Sequence, residues 1–325
     1  MLREWIEQNF KGDRYIWFIV LAFSIMSVLV VYSAVGSLAY QQQGGNTEYY
    51  LFKHGLLVAA SLAATWFFHR INYNQYKYFA WFALRISVLL LGAVLFLGQD
   101  INDAKRVFIV FGQSFQPSDL AKLALVTSAA AMLAKRQQKI QQGWKMLMPI
   151  LLWCSGICAL IAVANFSTAA LLFATCFLLM IIGRVPRQYL FRLVLFGVLA
   201  AACSVALSEW IPTIGTRWPT VKSRFAKYFD DDNIPYQAEQ SYIAVATGGL
   251  VGKGIGHSAQ RNMLPNAYND FIYAIIIEEY GMVGGIIVIF LYLFLLYRSM
   301  RIVADSNKAF GGLLAAGLSF SLELQ

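Results

Sequence analysis

The chain has 325 residues, of which 59% are hydrophobic and only 13% are charged, and its formal net charge is +9. A soluble domain of this length cannot bury so much apolar surface, so the composition excludes an ordinary soluble protein and indicates one that is partly solvated by lipid. The basic excess fits either a nucleic-acid-binding protein or a membrane protein with Lys and Arg on its cytoplasmic side, and the positions of these residues decide between the two.

Nine apolar stretches follow one another along the chain, and the last of them ends with it. Most have roughly the 20 residues that an α-helix needs to cross a bilayer. We predict spans at residues 15–34, 51–68, 76–97, 117–134, 146–164, 169–183, 189–210, 271–297 and 309–325. The longest interruption, residues 211–269, contains four prolines and is predicted to be a loop. The prediction is a single, all-α, polytopic membrane domain over residues 1–325.

The distribution of Lys and Arg orients these spans. If the N-terminus is cytoplasmic, the inner segments hold 15 of the 26 basic residues, whereas the outer loops before residue 211 hold three. Short cytoplasmic loops of membrane proteins are enriched in Lys and Arg, so we predict a cytoplasmic N-terminus and an extracytoplasmic 211–269 loop. The basic excess is therefore a topology signal and not a sign of nucleic-acid binding.

Cysteine and histidine indicate neither a disulfide framework nor a metal site. The four cysteines all lie in apolar runs, where a thiol packs as a small hydrophobic group. The three histidines are far apart in sequence and have no Cys or carboxylate at ligand spacing.

Charged residues deep inside the third and eighth predicted spans need polar partners. Arg85 is in the third span, where a guanidinium is costly unless it faces other helices or water. Glu278 and Glu279 are adjacent in the eighth span. We expect a structural ion pair for at least one of these glutamates, with Arg85 and buried helix ends as candidate partners.

Asp270 directly precedes the eighth span and has two interpretations. As an N-cap, its carboxylate would accept hydrogen bonds from the first backbone N–H groups of the helix. Alternatively, it is a general base at the outer membrane face. Glu278 and Glu279 would lie about 12 Å deeper along the helix, too far away to form a close carboxylate pair with it.

In the fourth span, Asp119 and Lys122 are three residues apart and share a helix face near the outer end. A local salt bridge that neutralises both is one interpretation. The other is that Lys122 binds an anionic lipid headgroup, with Lys105 and Arg106 of the preceding loop extending the anion site.

The glycine run GGLVGKGIG, residues 248–256, is not a nucleotide-binding loop, because it lacks the GxxxxGK[ST] spacing and no strand precedes it. Its glycines allow tight turns and a close approach of the backbone to other groups. Such a loop can also offer N–H groups to a phosphate, although flexibility alone is the commoner explanation.

The run QSYIAVATGGLVGKGIGHSAQRNMLPNAYNDFIYAIIIEEYG, which begins at Gln240, resembles the signature region of the SEDS family (shape, elongation, division and sporulation). These are bacterial membrane proteins that polymerise peptidoglycan glycan strands. Three further blocks resemble the family in the same order: VYSA at 31–34, NDAKRVFIVFGQSFQPSDLAKLAL at 102–125 and FSTA at 166–169. The AIIIEEYG and QPSDLAKLAL sequences look more like the division branch, FtsW, than the elongation branch, RodA.

The resemblance implies a SEDS-type helical bundle with a large extracytoplasmic loop between the seventh and eighth spans. The family has ten spans, which implies that the tenth is absent from this sequence. It also implies a location in the bacterial cytoplasmic membrane, at the division septum, and a class B penicillin-binding protein as the partner.

The resemblance also implies which individual residues form the site. The essential carboxylate of the family falls on Asp270 and its lysine on Lys122, with Asp119 in place of the more usual Glu. Gln240 and Ser241 match the family's Gln-Ser pair. The chain departs from the family pattern at residues 107, 266, 268 and 269, where Val, Asn, Tyr and Asn replace the usual Trp, Glu, His and Thr.

The reaction that the resemblance implies is glycosyl transfer from lipid II, whose undecaprenyl pyrophosphate is its own leaving group, so that no nucleotide cofactor is required. Asp270 is assigned as the general base that takes the proton of the acceptor hydroxyl. Lys122, with Lys105, Arg106 or a divalent cation, is expected to stabilise the departing pyrophosphate. Attack on an α-linked donor to give a β-1,4 bond is an inversion, which needs one base and no covalent intermediate.

Other functions fit the same sequence features. A lipid II flippase would also have many spans and charged residues inside them, such as Arg85 and the paired glutamates. A non-catalytic membrane scaffold for cell-wall synthases is a further alternative. Within the enzyme class, the alternative is an elongation-type, RodA-like polymerase.

Overall fold

The computed structural model describes residues 10, 12–34, 47–100, 105–110, 113–137, 144–207, 234–264 and 270–324. These residues form ten α-helices and three short strands. The helices are α1 (Arg14–Ala34), α2 (Thr47–Arg70), α3 (Tyr76–Leu97), α4 (Pro117–Arg136), α5 (Trp144–Ala164), α6 (Phe166–Ile182), α7 (Arg187–Leu207), α8 (Tyr236–Gly248), α9 (Ile272–Asp305) and α10 (Ala309–Glu323). The strands are β1 (Gln99–Asp100), β2 (Lys105–Val110) and β3 (Gln113–Phe115).

Every predicted span corresponds to a helix, and the starts of the third, fourth and ninth agree to the residue. Among the described residues, five helices are long and apolar enough to cross a bilayer: α1, α2, α3, α5 and α9. The apolar helices α6 and α10 are shorter. The protein is therefore an integral membrane protein, because helices of this length and composition are stable where lipid replaces water.

Two segments that were expected to be loops contain regular structure. Strands β1, β2 and β3 form an antiparallel sheet in that order, in which Phe108 pairs with Phe115 and Val107 with Gln99. The described part of the long 211–269 segment contains α8 and a 3-10 turn at Gln260–Asn262. Residues 211–233 and 265–269 of that segment lie outside the described residues.

The chain divides into two compact units. The first consists of residues Met1–Ile71 and Lys222–Leu295, and so holds α1, α2, α8 and the greater part of α9. Within it, α1 and α2 are joined by a hydrogen bond between Ser27 Oγ and His54 Nε2 at 2.9 Å. The α2 helix buries none of its residues, as expected of a helix that faces lipid.

The second unit consists of residues Asn72–Val221 and Leu296–Gln325. Its core lies around α4, which packs against α3, α5, α6 and α10. Small side chains such as Ala121, Ala124 and Ala129 are buried along α4, and they let neighbouring helices approach closely. Leu125 and Leu133 of the same helix are fully buried in this core.

Candidate functional site

Asp270 lies in the turn immediately before α9, and its side chain is exposed. The carbonyl of Phe271 accepts the first helical hydrogen bond, from the N–H of Ile275 at 3.2 Å, so Phe271 occupies the N-cap position. Within the described residues, the Asp270 carboxylate makes no hydrogen bond or ion pair. Among the described residues, Asp270 therefore does not act as the N-cap of α9. Its exposed carboxylate can contact a group from outside the protein.

Glu278, in contrast, is completely buried and is surrounded by donors. Its Oε1 lies 2.6 Å from Lys253 Nζ and accepts the Ala259 N–H at 3.1 Å. Its Oε2 accepts the Ser258 hydroxyl and, at 3.3 Å, the Gln260 N–H. The expected ion pair of the adjacent glutamates is thus made with Lys253, and not with Arg85, which is exposed on α3 of the second unit.

The glycine segment, residues 248–256, packs its backbone into a break in α9. Gly281 adopts a φ of +72°, which interrupts the helix. The N–H groups of Lys253 and Gly254 donate to the Glu278 and Glu279 carbonyls at 2.9 and 3.0 Å, and the Met282 N–H donates to the Gly249 carbonyl at 2.9 Å. The loop therefore replaces the hydrogen bonds that the break removes from the helix.

The close backbone approach expected of the glycines is what the structure shows. Gly252 has a φ of +88°, and a Cβ on it would overlap the Glu279 carbonyl and the Gly281 nitrogen. Since the N–H groups of Lys253 and Gly254 already donate to α9, those two are not free for a phosphate.

Glu279 lies beside Glu278 but has different partners. It is 2% exposed and accepts a hydrogen bond from the Ser33 hydroxyl at the end of α1. Arg261 Nη1 donates to the Ser33 carbonyl at 2.9 Å. The end of α1, the 258–264 stretch and α9 are therefore connected through Ser33.

In the second unit, Lys122 and Asp119 form the salt bridge that their spacing predicted, with 2.9 Å between Nζ and Oδ1. The side chain of Lys122 is 12% exposed, whereas that of Asp119 is 61% exposed. The ammonium group is thus held in place while its carboxylate partner faces outward.

Lys105 and Arg106 are adjacent on β2 but have different surroundings. Lys105 Nζ donates to the Phe96 carbonyl at 2.8 Å and thereby caps the last turn of α3. Arg106 lines a small cleft together with Gln116, Ser118 and Asn165. The N-termini of two helices meet there, because Gln116 precedes α4 and Asn165 caps α6 by accepting the Thr168 N–H at 3.2 Å. Helix N-termini and a guanidinium together favour an anion.

Gln240 and Ser241 lie on α8 and are half-buried. The Ser241 hydroxyl donates to the Ala238 carbonyl of its own helix at 2.7 Å. These two residues therefore share the first unit with Asp270, and Lys122, Asp119, Lys105 and Arg106 share the second.

In the parts of the chain that the structure describes, no three His, Cys, Asp or Glu side chains are close enough to hold a metal ion. The departures from the family pattern at residues 266, 268 and 269 lie outside the described residues.

Sequence reasoning did not identify Lys253 and Ser258 as partners of the buried Glu278. The available signal was that two adjacent carboxylates in an apolar span require donors, and that Lys253 is a cation inside a glycine run. Lys253 and Ser258 lie about 20 residues from the acids in the sequence, and helical or strand periodicity does not predict a contact over such a distance.

Comparisons with known proteins agree with this architecture. Residues 13–325 match the model of the FtsW, RodA and SpoVE family, described as cell cycle proteins. A protein of Wigglesworthia glossinidia brevipalpis named "Probable peptidoglycan glycosyltransferase FtsW" is 28% identical over 98% of this chain and 84% of its own length. A Bacillus subtilis protein of the same name is 33% identical over 74% of this chain and 61% of its own length.

Two solved structures share the fold. A chain of a peptidoglycan synthase complex, described for its coordination of polymerization and crosslinking, superposes with a TM-score of 0.68 at 22% identity, over 96% of this chain and 84% of that one. The rod shape determining protein RodA of Thermus thermophilus superposes with a TM-score of 0.62 at 19% identity, over 96% and 82% of the two chains.

Proposed function

The chain belongs to the FtsW, RodA and SpoVE family of cell cycle proteins, and from this premise we propose that it is a peptidoglycan glycosyltransferase. It polymerises glycan strands from lipid II at the outer face of the cytoplasmic membrane, in cell division. The names of the relatives, peptidoglycan glycosyltransferase FtsW, support both the reaction and the division role.

The observation that carries the assignment of the base is the contrast among three acids. Glu278 and Glu279 are buried and hydrogen-bonded within the protein, whereas Asp270 is exposed and makes no bond within the described residues. A general base must reach the proton that it abstracts, and a carboxylate that is already surrounded by donors cannot. Asp270 is the one of these three acids that meets the requirement.

In the proposed reaction, Asp270 accepts the proton of the N-acetylglucosamine hydroxyl as the hydroxyl oxygen attacks the anomeric carbon of the donor. The new glycosidic C–O bond forms while the bond from the anomeric carbon to the pyrophosphate oxygen breaks. Undecaprenyl pyrophosphate leaves with the electron pair. The α-linkage of the donor is inverted to a β-linkage in this single displacement, so no enzyme-bound glycosyl intermediate is needed.

Lys122 and Arg106 are proposed to bind the pyrophosphate and to stabilise the charge that develops as it leaves. The nearly buried side chain of Lys122 supports this assignment, as does the position of Arg106 in a cleft beside Gln116 and Asn165 at two helix N-termini. Lys105 was predicted to extend the same anion site. Its hydrogen bond to the Phe96 carbonyl supports a role in holding β2 on α3 instead.

A class B penicillin-binding protein is the proposed partner, and the shared fold with a chain of a peptidoglycan synthase complex supports it. The N-terminus is proposed to be cytoplasmic, because the inner segments would then hold 15 of the 26 basic residues. The division septum is the proposed location, from the FtsW name of the relatives.

Lipid II polymerisation in detergent tests the proposal, because translocation has no meaning there. The purified protein and its partner are given lipid II, and glycan chains are measured for the wild type and for Asp270→Asn. Loss of the base should lower the rate on the order of 10² to 10⁴-fold.

Asp305→Asn is the matched control, since it makes the same change at an exposed carboxylate that lies at the other end of α9 from Asp270. Its rate should equal that of the wild type. Normal glycan formation by Asp270→Asn would overturn the assignment of the base. If the wild type forms no glycan at all, the flippase function gains support.

A further inference from the structure

The donors around Glu278 come from one stretch of chain. Lys253 Nζ, the Ser258 hydroxyl and the N–H groups of Ala259 and Gln260 all converge on its two oxygens. Each of these bonds is made to a carboxylate that is 0% exposed, and a charged acceptor in such a buried place strengthens a hydrogen bond. Glu278 therefore fixes residues 253–260 against α9.

The same stretch is anchored again just before Asp270. Leu264 is 4% exposed and packs with Ile275 of α9, and Phe271 packs against both. Phe271 is the residue that follows Asp270. The described chain on each side of the Asp270 turn is thus held to α9: residues 253–264 before it and Phe271 after it.

A third contact reaches α1. Ser33 donates its hydroxyl to Glu279, and its carbonyl accepts Arg261 Nη1 at 2.9 Å. The hydroxyl of Ser33 is also 3.3 Å from the same guanidinium nitrogen. Ser33 belongs to the VYSA block, which none of the chemistry described so far uses. It joins Arg261, inside the 253–264 stretch, to Glu279, inside α9.

We infer that Glu278 and Ser33 are positioning residues for the general base. They act through the 253–264 stretch and do not touch the substrate. Glu278 holds that stretch to α9 and Ser33 holds it to α1, so that the turn carrying Asp270 has one position relative to the helix. This inference rests on the proposed role of Asp270 as the base.

Polymerisation kinetics test the inference when kcat and KM are measured separately with lipid II. A displaced base reacts more slowly with substrate that is still bound. We expect Glu278→Gln and Ser33→Ala to lower kcat on the order of 10 to 100-fold, since a displacement of about 1 Å can have such an effect. KM for lipid II should change less than about threefold, because the binding contacts are intact. Ser33→Thr, which keeps the hydroxyl, should restore kcat to within about threefold of the wild type.

Ser24→Ala is the matched control on the same helix, because the Ser24 hydroxyl donates to the Val20 carbonyl within α1 itself. Its kcat should equal that of the wild type. Amide hydrogen exchange provides the readout that does not depend on activity: the amides of Ala259 and Gln260, which donate to Glu278, should exchange faster in Glu278→Gln.

Several results would overturn the inference. One is a kcat per folded molecule in Ser33→Ala equal to that of Ser24→Ala, and another is a rise in KM with kcat unchanged. If Glu278→Gln does not fold, Ser33→Ala and its Thr counterpart decide the question. If the wild type forms no glycan, the proposed function fails. Unchanged amide hydrogen exchange at residues 259 and 260 in Glu278→Gln would by itself refute the positioning role of Glu278.

Discussion

Two ion pairs, one in each unit, differ in which partner is buried. In the Lys253–Glu278 pair of the first unit, the carboxylate is 0% exposed and the lysine side chain is 32% exposed. In the Asp119–Lys122 pair of the second unit, the lysine is 12% exposed and the carboxylate is 61% exposed. The buried group is the acid in the first pair and the cation in the second.

This difference indicates that the Lys253–Glu278 pair is structural, whereas the carboxylate of the Asp119–Lys122 pair can be replaced by another anion. Removing one partner of a buried pair leaves an uncompensated charge and costs about 3–5 kcal/mol, so Glu278 cannot be displaced. An exposed carboxylate adds only about 0–1 kcal/mol to a salt bridge. A phosphate oxygen can therefore replace Asp119 on Lys122 at small cost, so the local salt bridge is compatible with the anion-binding role proposed for Lys122. Three sets of substitutions test this comparison.

The largest effect is expected from Gly252→Ala, which changes the glycine segment that packs on α9 next to the Lys253–Glu278 pair. The added methyl group would overlap the Glu279 carbonyl. The φ of residue 252 is +88°, which alanine adopts only with backbone strain, so both effects oppose folding. We expect a loss of about 3 kcal/mol or more of stability, seen as a lower melting temperature and aggregation in size-exclusion chromatography.

Gly55→Ala is the control for Gly252→Ala, because a Cβ there meets nothing within 4 Å and the residue is inside a regular helix. It should be neutral or stabilise the protein by up to about 1 kcal/mol. Equal melting temperatures for the two variants would contradict the account of the glycine segment.

The next largest effect is expected at the Asp119–Lys122 pair, whose carboxylate is exposed. Lys122→Met should lower lipid II polymerisation on the order of 10² to 10³-fold, because the charge that meets the leaving pyrophosphate is lost. Asp119→Asn should change the rate less than about threefold, since its carboxylate is the exchangeable partner. The measurement is the initial rate of glycan formation. A larger loss in Asp119→Asn than in Lys122→Met would reverse the roles assigned to the two residues.

The smallest effect distinguishes the two neighbours on β2. Arg106→Ala should raise the KM for lipid II about tenfold, corresponding to the loss of one charge-assisted contact of ~1.4 kcal/mol. Lys105→Ala should leave KM unchanged and lower stability by about 1 kcal/mol through the lost bond to the Phe96 carbonyl. A rise in KM for Lys105→Ala alone would show that the anion site lies on the other side of β2.

The sequence by itself determined the membrane class, the family and the order of the helices. Long apolar runs can only be helices in lipid, where every backbone group needs a partner within its own segment, so their ends could be placed to within a few residues for most spans. Asp270, Lys122 and Asp119 were also identifiable, since each is a charged residue at the end of an apolar run or one helical turn from another.

Only the tertiary structure decided which donors satisfy Glu278 and Glu279, that the glycine segment fills the break at Gly281, and that β1, β2 and β3 pair into a sheet. The donors to the Glu278 and Glu279 carboxylates lie from 18 to 246 positions away from them in the sequence. Sequence periodicity reports only which residues share a face of one element. It cannot report which separate segment supplies the partner of a buried charge, because that depends on how the elements pack.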